Sequence, residues 1–82
     1  EIRLIKIDTN GNELFVIKAL QKIIKKNKPA LIVEINDDIP DIDKILKKYL
    51  YKGYYYSTET KKFIKSEKKS TVNKYYLQEK HL

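Results

Sequence analysis

The chain has 82 residues with a net charge of +7, no cysteine and one histidine, His81. Disulfides and thiolate-metal centres are therefore excluded, a histidine-based catalytic or zinc site is set aside, and no apolar run is long enough to span a bilayer. A chain this short buries only roughly 60 to 65 per cent of its unfolded surface, so a core built by it alone is marginal. The positive charge comes almost wholly from lysine, in a sequence also rich in isoleucine and tyrosine, the pattern of an AT-rich coding sequence. Lysine lacks the bidentate fork with which arginine reads phosphates and bases. The charge is read as background, and nucleic acid as the weaker partner class.

Ile2 to Asp8 reads as a strand, with apolar residues at 2, 4, 5 and 7 that are too dense for simple alternation. Thr9 to Asn12 is a turn, where Gly11 supplies freedom in φ and Asn12 or Asn10 can cap the helix that follows. From Glu13, a carboxylate in the first turn, to about Asn27 the chain is amphipathic, with Val16, Ile17, Leu20, Ile23 and Ile24 on one stripe. Asn27 with Pro29 ends this helix, and Ala30 to Ile35 follows as a nearly continuous apolar run of the kind buried in a parallel sheet. Asp37, Asp38 and Pro40 then open a second helix, with apolar residues at 42, 45, 46, 49 and 50, which Gly53 terminates. Tyr54 to Ser57 is a third strand, Ser57 to Thr60 a turn with a short return through Phe63 and Ile64, Lys65 to Asn73 a polar loop, and Lys74 to Gln78 a last strand.

The reading is an α/β fold: two parallel strands with a crossover helix, a second helix, then a strand pair. Two helices made by successive crossovers in one direction lie on the same face of the sheet. The other face of Ala30 to Ile35 is then left bare, which predicts either a fragment or a partner that covers it. A start at Glu1 rather than methionine fits the same expectation.

The stretch Lys6-Ile7-Asp8-Thr9-Asn10-Gly11-Asn12-Glu13, with Ala19, the run Lys28 to Ile35 and the later Gly53-Tyr54, resembles the C-terminal half of the FkbM family of S-adenosylmethionine-dependent methyltransferases. The family pattern is roughly Lys-Ile-Asp, any residue, Glu or Gln, Gly, any residue, Glu. This chain departs from it at Asn10. The resemblance implies that residues 1–82 form a single partial domain, the C-terminal part of a Rossmann-like class I methyltransferase fold whose terminal strand is antiparallel. It implies S-adenosylmethionine as cofactor, bound mainly by residues upstream, because no G-x-G occurs here and the only glycines are Gly11 and Gly53. It also implies O-methylation of a small molecule or glycan hydroxyl and a sheet completed by the missing N-terminal half or an oligomeric partner, while the sequence, with no charged-then-apolar leader and no spanning run in view, is read as cytoplasmic.

Asp8, at the carboxyl end of a strand, is the candidate catalytic residue, placed to orient or deprotonate an acceptor hydroxyl. Its structural alternative is to cap the turn amides. Glu13, Asn10 and Glu34 are candidate substrate-binding residues. Glu13 alternatively compensates the helix dipole, and Glu34, a charge inside an apolar strand, alternatively pairs with Lys6. Asp8, Glu34 and Asn36 have oxygen donors suited to a hard cation, but no metal is expected. Two further readings stand beside these: a small basic nucleic-acid-binding module using Tyr54 to Tyr56, Tyr75, Tyr76 and the lysines from Lys61 to Lys69, and an inactive truncated copy, to which Asn10 points.

Overall fold

A computed structural model describes residues 1–65 and 72–82. In chain order the elements are β1 (Leu4–Ile7), α1 (Glu13–Ala19), α2 (Gln21–Asn27), β2 (Ala30–Glu34), α3 (Ile39–Lys47), β3 (Lys52–Ser57), β4 (Lys62–Ile64) and β5 (Asn73–Leu77), closed by a 3-10 turn at Glu79–His81. The five strands make one sheet in the order β1-β2-β5-β3-β4. β1 and β2 are parallel, whereas β5 lies antiparallel between β2 and β3, and β4 is antiparallel to β3. The expected parallel pair with a helical crossover and the expected antiparallel last strand are both present. The return through Phe63 and Ile64 is an edge strand, while most of the polar loop expected at Lys65 to Asn73 lies outside the described residues.

Several local expectations are corrected. The helix expected over Glu13 to Asn27 is interrupted at Leu20, whose amide is shared between the Val16 carbonyl at 2.9 Å and that of Ile17 at 3.2 Å. Hydrogen bonding resumes from Ile24 to Leu20, so Ile17 and Ile24 keep facing the core on both sides of the break. Neither Asn12 nor Asp38 caps its helix with a side-chain bond. At α3 the acceptor is one turn upstream: the Asn36 side chain takes the Asp38 amide at 2.7 Å, and the Asn36 carbonyl takes that of Ile39 at 3.2 Å.

Gly53 does not terminate α3. That helix ends at Lys47, and the reversal is made by Leu50 at φ 68, after which the Tyr51 amide returns to the Leu46 carbonyl. Gly53 belongs to β3, and a methyl group there would overlap Lys74 Cε. The glycine is needed because Lys74 crosses the strand to reach Asp43 at 2.9 Å, with its Nζ 5.4 Å from the Tyr55 ring centre and 5.5 Å from that of Tyr76. Tyr76 also donates a hydrogen bond to Asp43, at 2.6 Å.

The register decides which side chains share a face. Ile7, Leu31, Val33 and Tyr76 point one way and pack with Ile17, Ile24, Ile42 and Leu46 from the helices. Each such aliphatic chain, fully withdrawn from water, contributes about 1.5–3 kcal/mol. On the other face Leu4 is 58% exposed, and Ala30, Ile32 and Glu34 are only half-buried. There Phe63 gathers the rings of Tyr75, Tyr56 and Tyr54 at centroid distances of 5.2, 5.3 and 6.4 Å. β2 is thus closed on its helical side and half-open on the other.

Candidate functional site

The last register pair of the parallel strands is Ile7 with Val33, so Asp8 and Glu34 come next, side by side at the carboxyl ends of neighbouring strands. Asp8 is exposed and Glu34 half-buried. After Asp8 the backbone doubles back through two left-handed residues, Asn10 at φ 53 and Gly11 at φ 105. Glycine enters that region freely, and asparagine is among the few other residues that do so at little cost. Asn10 at this place in the motif therefore has a backbone reason of its own.

The turn delivers Glu13, the first residue of α1, underneath it. Glu13 is fully buried, and its Oε2 accepts the Thr9 amide at 2.7 Å. Its Oε1 accepts the Gly11 amide at 3.0 Å and the side-chain amide of Asn36 at 2.6 Å. Asn36 in turn holds the start of α3, so one carboxylate joins the β1 turn, α1 and the β2–α3 connection. Burial pushes the Glu13 carboxyl upward, but the amide donors of Thr9 and Gly11 outweigh it and hold it below the ordinary 4.5. Glu34 is shifted the opposite way. Hydrogen bonding with the Asp8 carboxyl raises it first, then desolvation and the charges of Asp8 and Glu13, with Lys6 opposing weakly.

Asp8, Glu13 and Glu34 bring carboxylate oxygens within 4.8 Å of one another, close enough for a common cation. The oxygens of Glu13 are already occupied by amide donors, which leaves Asp8 and Glu34 with open lone pairs. Of the four residues singled out in the sequence, Asp8, Glu13 and Glu34 converge, and Asn10 sits on the turn above them, exposed. Asn36 as the bridge between the two turns was not anticipated; the signal was an amide two residues beyond a strand-ending acid. Among the tyrosines required for a stacking platform, Tyr54, Tyr55 and Tyr76 are buried. Lys68 and Lys69, from the same reading, lie outside the described residues.

Residues 1–56 match the methyltransferase FkbM domain. The chain belongs to the FkbM methyltransferase family. Comparison with curated proteins and with solved structures gives no match. The FkbM match runs from before β1 into β3 and takes in Asp8, the Asn10-Gly11 turn, Glu13, Glu34 and Asn36, whereas β4 and β5 lie beyond it. No helix among the described residues is long and apolar enough to cross a membrane.

Proposed function

We propose that the chain is the C-terminal part of an S-adenosylmethionine-dependent methyltransferase domain of Rossmann-like class I topology, which methylates a hydroxyl oxygen of a small molecule or glycan in the cytoplasm. One observation carries the reading: the paired Asp8 and Glu34 carboxyl groups at the ends of adjacent parallel strands, braced from below by the buried Glu13. Carboxyl ends of parallel strands are where open α/β sheets place ligands. The antiparallel strand inserted between β2 and β3 supports the same topology. The half-open face of β2 and the free edge of β1 are the surfaces on which the remainder of the domain would sit.

S-adenosylmethionine, when bound, would supply an electrophilic methyl group at its sulfonium. With only two glycines the chain has no glycine-rich cradle for the rest of the cofactor, and those contacts belong upstream. Methyl transfer to oxygen needs positioning and the removal of one proton. Asp8, exposed at the rim, accepts the hydroxyl proton as the acceptor oxygen is methylated. Glu34, beside it, orients the acceptor and shares the proton, and Asn10 offers its amide from the turn. Glu13 fixes the turn that holds them.

In a polypeptide carrying the whole domain, Asp8→Asn lowers turnover by about 10²–10⁴-fold while cofactor affinity by calorimetry stays near the native value. Undiminished turnover removes Asp8 from the reaction.

A further inference from the structure

The carboxylate site occupies one end of the sheet, and the other end carries a different surface. Where β2 and β3 begin and β5 finishes there is a groove of about 1100 Å³. Six lysines line it: Lys28 before β2, Lys47 at the end of α3, Lys52 at the start of β3, Lys65 just after β4, Lys80 in the 3-10 turn, and Lys74, which is paired with Asp43. The acids in the lining are Asp43 and Glu79. Asp43 is already engaged by Lys74 and Tyr76, so among the described residues of the lining Glu79 is the acid left to balance the other lysines.

The apolar residues of the groove are as unusual as its charge. Leu50 is 81% exposed and Leu82 67% exposed, and both belong to the lining, with Tyr51 and Leu77 beneath. Leu50 stands at the tip of Lys47-Lys48-Tyr49-Leu50-Tyr51-Lys52 with φ 68, a left-handed conformation uncommon for leucine. The fold thus holds a large apolar side chain out in water, between cations, at some conformational cost.

We infer that this end of the sheet docks on an anionic phospholipid surface, with the lysines at the headgroups and Leu50 and Leu82 entering the boundary beneath them. A soluble anion would satisfy the lysines and leave both leucines in water. A phospholipid surface accommodates both, and an amphipathic, lysine-flanked apolar patch is the form that peripheral membrane contact takes. Each lysine at such a surface strengthens partitioning roughly fivefold, ~1 kcal/mol.

The test is co-sedimentation of the 82-residue chain with vesicles of phosphatidylcholine alone and of phosphatidylcholine mixed with phosphatidylglycerol. Binding to the mixed vesicles, weak or absent binding to the neutral ones, and loss of binding as salt rises are expected. Lys47→Glu combined with Lys52→Glu weakens binding at least about 25-fold, and Leu50→Ser weakens it about tenfold. All three positions are exposed, and circular dichroism verifies that the variants fold. No binding to the mixed vesicles overturns the inference, as does binding indifferent to Leu50→Ser. Single-stranded DNA that displaces the chain from vesicles and binds the Leu50→Ser variant as tightly as the native chain would reassign the surface to nucleic acid.

Discussion

Replacing Glu13 by alanine tests whether the site is held from below by one buried carboxylate. The substitution strips the acceptor from the Thr9 amide, the Gly11 amide and the Asn36 side chain at once. A hydrogen bond to a charged group contributes about 1.5–3 kcal/mol. Gly11 is exposed and rehydrates, so two uncompensated donors remain and the expected loss is about 3–6 kcal/mol. A domain of this size has a total stability of roughly 4–12 kcal/mol, which makes the loss a large part of the whole. Urea denaturation followed by circular dichroism measures it, with an unchanged slope showing that the unfolded state is the same.

The acid limb of the stability profile carries the same information. Because Glu13 is held below 4.5 in the folded chain, its contribution is complete above that pH and disappears as pH falls through the lowered value. Glu13→Gln erases that limb. A Glu13→Ala loss under about 0.5 kcal/mol, the size of an ordinary surface substitution, would refute the bracing role.

Glu34 has the opposite linkage. Its folded-state pKa is raised above 4.5, so its favourable contribution is present below that pH and is lost as pH rises through the raised value. Glu34→Gln therefore raises the thermal midpoint at neutral pH, by removing repulsion at Asp8, and a lowered midpoint would count against the shared site. Gly53→Ala drives a methyl group into Lys74 and loosens its pairing with Asp43. The expected cost is about 1–3 kcal/mol in urea, and a neutral result would mean that Lys74 has another path to its partner.

What the sequence made legible was the part set by local chemistry. The order of strands and helices follows from the change of apolar period between Ile2–Ile7, Glu13–Asn27 and Ala30–Ile35, and the left-handed turn at Gly11 from glycine's missing side chain. The misreadings are places where a distant residue decides. Gly53 looks like a helix stop, yet its lack of a side chain serves Lys74, a neighbour 21 positions away that local pattern cannot reveal. Asn12 and Asp38 have the right chemistry for caps, but Glu13 holds the turn before α1 and Asn36 supplies the acceptor at α3. At the site, Asp8 could be seen as a strand-ending carboxylate. That Glu34 stands directly beside it depends on the register of two parallel strands, and the complete burial of Glu13 depends on the whole turn folding over it.

The placement of the last strand has a consequence for how the chain is made. β5, the last of these five strands in chain order, forms both interior joints of the sheet, to β2 on one side and to β3 on the other. Until residues 73–77 have left the ribosome, the β1–β2 pair and the β3–β4 hairpin share no ladder, and their inner edges remain open to other chains. A nascent chain stalled or cut before Asn73 would carry two unjoined half-sheets, and its vulnerability to mispairing ends only when residues 73–77 arrive to lock them.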